Sequence, residues 1–365
     1  MSFTPEEIAR YQRHLSLSGF GPEAQEKLKR GSVLVIGAGG LGCPILLYLA
    51  AAGVGRITII DADAVDVSNL QRQVLFTTAD TGQPKAEAAA RRLLALNPLL
   101  DIAPVVARFT RDNALALVSA HDVVLDGSDN FATRYLVNDA CVLADRPLVY
   151  GAIQGFEGQA SVFNFKGGPT YRCLFPEPPA PGTVPNCAEA GVLGVLPGLI
   201  GTIQATEAIK LLTGIGEPLS GRLLLWNSLT MTSRTLRFAA DPAGRAITEL
   251  PPEGYGETCA VPAKPPGDEL TAGELRANLA VQLIDVREDW ERELGAIQPS
   301  VHVPLGTLGG DAAKVMLAGL DPKKETVVYC AGGVRSLKAL APLRGVHGFA
   351  SIRSLKGGFK AWTAR

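Results

Sequence analysis

The feature that most constrains the fold of this chain is a glycine-rich turn between two apolar segments, within residues 33–61. The first segment, VLVI, has the length and composition of a strand buried on both faces of a parallel sheet. The turn GAGGLG follows, and a helix predicted over 41–52 stops at Gly53, a residue that favours helix termination. A second strand then ends in Asp61. This order predicts a βαβ unit and an α/β, Rossmann-like fold with a mostly parallel sheet.

The glycines of this turn match the requirements of a nucleotide site. Gly37 permits the tight turn, Gly39 lets backbone approach a phosphate, and Gly42 lets the helix pack closely on the strand. Phosphate oxygens then bind the N–H groups at the start of the helix, and Asp61 is placed to bind ribose hydroxyls. The motif favours a bound nucleotide over an empty turn, and leaves open whether that nucleotide is NAD or ATP.

Composition narrows the classes of function. The 365 residues carry a net charge of −1, which gives no electrostatic basis for binding nucleic acid or an anionic membrane. The first residues lack an apolar signal core, and no apolar run is long enough to span a membrane. The six cysteines contain no CxxC pair, which fits a reducing compartment. We therefore expect a cytoplasmic protein.

Polar residues follow other predicted strands at the edge where open α/β sheets place ligands. The segment 67–73, VSNLQRQ, comes shortly after Asp61. Lys85 begins a helix, where its charge opposes the helix dipole unless an anion is bound nearby. Asp126 and Asp129 are candidate magnesium ligands, the alternative being a turn or a helix cap. The glycine turn and Lys85 predict a phosphate site at the same edge of the sheet, and this favours the metal interpretation over a turn or a cap.

Proline and glycine in residues 241–267 predict a linker between a domain at 1–240 and a small α/β domain at 268–365. The second domain contains Cys330 at the predicted end of a strand. Backbone N–H groups of the following loop, with Gly332, Gly333 and Ser336, are expected to stabilise a thiolate or persulfide. Arg335 either adds positive charge or braces the loop against an acid such as Asp285.

The motifs of residues 1–240 resemble those of the MoeB/ThiF family, the bacterial relatives of ubiquitin-activating enzymes. They are GAGGLGCP, DADAVDVSNLQRQ, GQPKAEAA, DGSDNFATRY, EGQASVF and CAEAGVLGVLPGLIGTIQATEAIK. Residues 268–365 resemble a rhodanese domain through LIDVRE, VHVPL, YCAGGVRS and LKGGFKAW. Proteins that join the two are adenylyltransferase–sulfurtransferases, which serve ubiquitin-like sulfur carriers.

The resemblance implies a role for each matched residue. Gly40 and its neighbours line the phosphate turn, Asp61 binds the ATP ribose, and Asp129 holds Mg2+. Arg72 reaches the triphosphate from the other subunit of a homodimer. The resemblance implies nucleotide contacts for further residues, namely Arg13, Asp63, Ser68, Asn69, Gln71, Lys85 and Asn130. From the sequence alone, Arg13 is equally well explained as part of a solvated basic face.

The implied reaction is ATP-dependent adenylation of a carrier that ends in Gly-Gly and is similar to MoaD or ThiS. A persulfide on Cys330, loaded by a cysteine desulfurase or another sulfur donor, then gives a thiocarboxylate. The alternatives are an NAD-dependent oxidoreductase and a non-catalytic scaffold that binds the carrier. Neither alternative explains why Arg72, Lys85 and Asp129 are all present. The pathway stays open among molybdopterin, thiamine, transfer-RNA thiolation and cysteine synthesis.

Two further cysteines are interpreted through the resemblance. Cys187 matches a family cysteine that lies beside a loop. Some members use this cysteine as an acceptor for the carrier, and whether Cys187 reacts here stays open. Many relatives bind a structural zinc through two CxxC pairs, of which only Cys173 is present. We therefore expect no zinc site and a packed Cys173.

Overall fold

The computed structural model describes residues 3–179, 191–251, 255, 267–278 and 280–364. The chain divides into two compact units, residues 1–260 and 261–365. Within the described residues, no helix is both long enough and apolar enough to cross a membrane.

The first unit is built on an eight-stranded sheet of order β3-β2-β1-β4-β5-β6-β7-β8. Its strands are β1 (Ser32–Ile36), β2 (Arg56–Ile60), β3 (Asp101–Val105), β4 (Val123–Asp126), β5 (Leu148–Gln154), β6 (Glu157–Phe163), β7 (Arg222–Asn227) and β8 (Thr232–Arg237). The first five pair in parallel and the last three continue the sheet antiparallel. The predicted mostly parallel α/β sheet is thus confirmed.

Helices cover the sheet of this unit. They are α1 (Pro5–Leu15), α2 (Gly21–Arg30), α3 (Gly42–Ala52), α4 (Lys85–Leu96), α5 (Arg111–Ser119), α6 (Phe131–Leu143), α7 (Leu196–Thr213) and α8 (Pro242–Arg245). The apolar run of β1 is buried because α3 and α7 pack with it in one core. Gly53 ends α3 with φ of +84°, a left-handed conformation that glycine adopts without strain. These contacts fix the start of α3 at the sheet edge.

The segment predicted as a linker begins packed against the first unit. The short helix α8 contacts the 3-10 turn at Tyr171–Cys173. Leu250 is 4% exposed in the core, and the Tyr255 hydroxyl donates a hydrogen bond to Asp139. This part of the predicted linker is therefore packed against the first unit, because its apolar and aromatic side chains find partners in the core and on α6.

The second unit holds a parallel five-stranded sheet of order β11-β10-β12-β13-β9. Its strands are β9 (Glu269–Leu270), β10 (Gln282–Asp285), β11 (Val301–His302), β12 (Thr326–Tyr329) and β13 (Ile352–Leu355). Its helices are α9 (Ala272–Ala277), α10 (Asp289–Glu293), α11 (Asp311–Leu317), α12 (Val334–Gly345) and α13 (Gly358–Thr363). Cys330 directly follows the central strand β12, so its position is fixed by the buried sheet.

Candidate active site

A cleft of about 680 Å³ lies at the carboxyl ends of the parallel strands in the first unit. Loops after β1, β2, β3 and β4 contribute its walls. Of the residues predicted to bind nucleotide, those lining the cleft are Gly37, Gly39, Gly40, Asp61, Asp63, Asn69, Arg72, Lys85, Asp129 and Asn130. Segments far apart in sequence thus meet at one sheet edge, the place where open α/β folds bind ligands.

The glycine turn is held in shape by close backbone contacts. Gly37 has φ of +89°, and a Cβ added at Gly42 would lie 2.0 Å from the Gly37 carbonyl oxygen. Only glycine fits at position 42 without moving the strand or the helix. No side chain caps α3 at Leu41. The N–H groups of Cys43 and Ile45 are already bonded to backbone carbonyls, and Pro44 has none. An anion in the cleft would therefore meet the backbone of the glycine turn before α3, where Gly39 and Gly40 line the cleft.

Asp61 is oriented by two backbone donors. The N–H of Ala38 lies 2.7 Å from Asp61 Oδ2, and the N–H of Asp63 lies 2.8 Å from Oδ1. Burial raises the pKa of Asp61, and these donors and Lys85 offset the rise only in part. The carboxyl group is thus fixed at the end of β2, beside the glycine turn, where a ribose can reach it.

Lys85 brings a buried positive charge into the cleft. Its side chain is 6% exposed, and its Nζ lies 3.0 Å from Asp63 Oδ2. The backbone N–H of Lys85 also donates to the Asp63 carbonyl, at 2.9 Å, which ties the start of α4 to the loop after β2. Asp63 is itself 73% exposed on its side chain, so an entering anion can compete with it for the lysine.

Arg72 lines the cleft of its own chain, where its Nη2 donates to Asn69 Oδ1 at 2.7 Å. The expectation that this arginine acts from a partner subunit stays a prediction. A 3-10 turn at Val67–Asn69 folds the segment back toward the glycine turn and carries Arg72 with it. Three other residues that the resemblance assigned to the nucleotide are exposed outside this cleft: Arg13, Ser68 and Gln71.

The loop after β4 separates the two candidate magnesium ligands. Asp126 is 1% exposed and its Oδ1 accepts the N–H of Ser128, while complete burial raises its pKa. It does not line the cleft, so its candidacy as a metal ligand is wrong. Asp129 is exposed in the cleft, and Asn130 caps α6 by accepting the N–H of Thr133. One carboxylate fits Mg2+, which usually takes few protein ligands beside phosphates.

Sequence reasoning missed several residues of the cleft. Gln73 is 3% exposed and lines it, while its neighbour Gln71, which was predicted, does not. Arg134 donates to the Ser128 carbonyl at 3.4 Å and lies 5.4 Å from the Phe131 ring. Both residues lie within motifs that the sequence analysis identified. Their inward orientation follows from packing, which no local pattern reveals.

Two donors contact the sulfur of Cys330, one from the loop after β12 and one from the first turn of α12. The N–H of Gly333 lies 3.1 Å from Sγ and the hydroxyl of Ser336 lies 3.6 Å from it. The N–H groups of Phe359 and Lys360 bind the carbonyls of Cys330 and Ala331, at 2.7 and 3.0 Å. This arrangement suits a negatively charged sulfur at the start of a helix.

Arg335 braces the loop through Glu291 rather than through Asp285. Its guanidinium makes two hydrogen bonds to the Glu291 carboxylate, at 2.7 and 2.6 Å. Asp285 is occupied by Arg287, 2.8 Å away, in a buried ion pair of the kind that has a structural role. The predicted brace is therefore present, and the acid predicted for it was wrong.

The remaining cysteines have different environments. Cys173 Sγ accepts the N–H groups of Thr170 and Asp241, at 3.3 and 3.2 Å, and a Cβ at Gly244 would lie 2.8 Å from it. It is packed as the sequence predicts, and the absence of a zinc site stays a prediction. Cys187 lies outside the described residues, so its role also stays a prediction.

Comparison with known proteins agrees with both units. Residues 11–245 match the ThiF family and residues 271–365 match the rhodanese-like domain. A probable adenylyltransferase/sulfurtransferase MoeZ of Mycobacterium tuberculosis is 47% identical over 98% of this chain and 93% of its own length. The adenylyltransferase and sulfurtransferase MOCS3 of Aedes aegypti is 41% identical over 98% and 87%.

Solved structures show the same fold for the first unit. A crystal structure of Escherichia coli MccB with MccA-N7isoASN superposes with a TM-score of 0.59 at 23% identity, covering 67% of this chain and 75% of that one. The chain belongs to the ThiF family, carries a rhodanese-like domain after the ThiF domain, and has relatives named adenylyltransferase/sulfurtransferases.

Proposed function

We propose that this protein adenylates the carboxyl terminus of a ubiquitin-like sulfur carrier and then transfers sulfur to it from Cys330. The observation that carries the proposal is the single cleft that gathers the glycine turn, Asp61, Arg72, Lys85 and Asp129. A related SAMP-activating enzyme of Haloferax volcanii and a sulfur carrier protein adenylyltransferase of Thermus thermophilus support this substrate class.

In the first step a carboxylate oxygen of the carrier attacks the α-phosphorus of ATP, and the bond to the β-phosphate breaks to release pyrophosphate. Charge increases on the phosphate oxygens as the bonds change. Arg72 and Lys85 stabilise that charge as fixed cations, together with backbone N–H groups of the glycine turn. Asp129 would hold Mg2+, which neutralises phosphate charge when bound. Asp61 would orient the ribose.

In the second step the terminal sulfur of a persulfide on Cys330 attacks the acyl carbon of the carrier adenylate, and AMP leaves. The carrier is then joined to Cys330 through an acyl disulfide. A thiolate attacks Cys330 Sγ, which releases the thiocarboxylate and leaves a disulfide that a second thiol reduces. Cys187 stays a candidate acceptor for the carrier, as the resemblance implies. A cysteine desulfurase is the proposed sulfur donor, because it forms persulfides.

We also propose a cytoplasmic homodimer. The four described cysteines, Cys43, Cys141, Cys173 and Cys330, are free thiols, which suits a reducing compartment. Arg13 is exposed on α1 and lies outside the cleft of its own chain. A nucleotide contact by Arg13, as the resemblance implies, therefore requires a second copy of the chain.

The adenylation step is tested by exchange of labelled pyrophosphate into ATP, with candidate carriers that end in Gly-Gly. We expect exchange that needs a carrier and is lost in Asp129→Ala. Asp101→Ala is the control, since Asp101 is exposed at the opposite end of β3. Equal loss in both variants, or no exchange with any carrier together with tight binding of NAD, would contradict the proposal and favour the oxidoreductase alternative.

A further inference from the structure

Two buried serine hydroxyls form a connected pair next to Cys330, and only Ser336 belongs to the motif that follows the cysteine. Ser336 is in the first turn of α12, whereas Ser354 is on the neighbouring strand β13. Both residues are 0% exposed, and their Oγ atoms are 2.8 Å apart. Neither the motif around Cys330 nor the proposed chemistry assigns a role to Ser354.

The two hydroxyl groups have two protons to donate, but more than two acceptors lie within reach. Ser336 has one hydroxyl proton and three acceptors within reach: the Gly333 carbonyl at 2.9 Å, Ser354 Oγ at 2.8 Å and Cys330 Sγ at 3.6 Å. The Ser354 hydroxyl contacts Ser336 Oγ and, at 3.5 Å, the Gly333 carbonyl. A buried acceptor that loses its donor is destabilised, so the two hydroxyls must share these partners.

This sharing depends on the charge of the sulfur. Beside a neutral thiol, Ser336 donates to the nearby Gly333 carbonyl. Beside a thiolate, the favourable arrangement turns the Ser336 proton toward Cys330 Sγ, because a hydrogen bond to a charged acceptor is stronger. The Gly333 carbonyl then keeps a long contact with the Leu337 N–H, at 3.4 Å, and Ser354 is the hydroxyl in position to replace the Ser336 donor.

We propose that Ser354 is a positioning residue that frees the Ser336 hydroxyl to stabilise the thiolate of Cys330. The proposal rests on the proposed role of Cys330 as the sulfur-carrying residue. Removing the Ser354 hydroxyl leaves Ser336 bound to the Gly333 carbonyl, and the thiolate loses one donor. The charged side chains on the elements around the loop are unchanged by this substitution: Arg335, Glu291, Asp285, Arg287, Lys356 and Lys360.

The test is the rate at which iodoacetamide alkylates Cys330 in the full chain, followed by peptide mass spectrometry between about pH 5 and pH 10. We expect Ser354→Ala to raise the midpoint of the profile by about 0.5 to 1 pH unit, which slows alkylation about three- to tenfold below the midpoint. The plateau at high pH should be unchanged. Ser354→Gly removes the same hydroxyl and serves as a second variant.

A double-mutant cycle separates this role from a purely structural one. In a Ser336→Ala background, Ser354→Ala should cause no further shift of the midpoint. An unchanged midpoint in both Ser354 variants, an equal shift in the Ser336→Ala background, or an equal slowing at every pH would each overturn the proposal. Failure of the proposed function looks different, because wild-type Cys330 would then not accept sulfur from a persulfide donor at any pH.

Discussion

The close contact between Gly42 and Gly37 predicts how much a larger residue at position 42 would destabilise the first unit. A methyl group at position 42 would lie 2.0 Å from the Gly37 carbonyl oxygen and 2.9 Å from its carbon. Both contacts are with backbone, so no side chain can rotate to relieve them. Overpacking of this severity costs about 3 kcal/mol, of which the better helix propensity of alanine returns about 1. We expect Gly42→Ala to destabilise the first unit by about 2 kcal/mol.

Thermal unfolding and pyrophosphate exchange measure this effect together. A loss of about 2 kcal/mol lowers the unfolding temperature of a unit of this size by about 4 to 8 °C. The displaced turn should also raise the KM for ATP. Gly198→Ala is the matched control, because Gly198 lies in α7 with nothing within 4 Å of an added Cβ. If Gly42→Ala is as stable and as active as Gly198→Ala, the close-packed turn is not what shapes the site.

Two further predictions concern charged groups. Lys85→Met removes the buried cation beside Asp63 and should lower pyrophosphate exchange at least about 100-fold, with little change in circular dichroism. Lys27→Met is the control, because Lys27 lies outside the cleft, and it should leave the exchange rate unchanged. Burial favours a raised pKa for Glu291, but the hydrogen bonds from Arg335 outweigh it and lower the pKa below its ordinary 4.5. The stability from this pair is therefore complete above about pH 4.5 and lost as the pH falls further. Urea titrations should show a smaller loss of stability in acid for Glu291→Gln than for wild type, in which other carboxyl groups with lowered pKa values, such as Asp80, also contribute.

Local sequence patterns were sufficient to predict the framework of the site. The run before Gly37, the helix that stops at Gly53 and the strand that ends at Asp61 are each set by neighbouring residues. Lys85, whose charge is unfavourable at a helix start, lines the cleft, and the anion that this charge predicts there stays a prediction. Such features can be read locally because strand and helix formation depend on nearby residues and hydrophobic period.

The errors concern which distant groups meet. Glu291, the partner of Arg335, is 44 residues away in the chain, and Asp285 was a reasonable choice until the structure showed it paired with Arg287. The packing of Tyr255 on Asp139 likewise spans 116 residues. A proline- and glycine-rich composition predicts irregular backbone, but it does not determine whether that backbone rests on a folded surface.

The most direct test of the two-step account is the carrier itself, analysed by mass spectrometry after reaction with ATP, a persulfide donor and a thiol reductant. We predict that wild-type protein converts the carrier to a thiocarboxylate, seen as the replacement of one oxygen by one sulfur. Asp129→Ala should form neither adenylate nor thiocarboxylate, and Cys330→Ser should form the adenylate but no thiocarboxylate. Thiocarboxylate formation by Cys330→Ser at the wild-type rate would contradict the account.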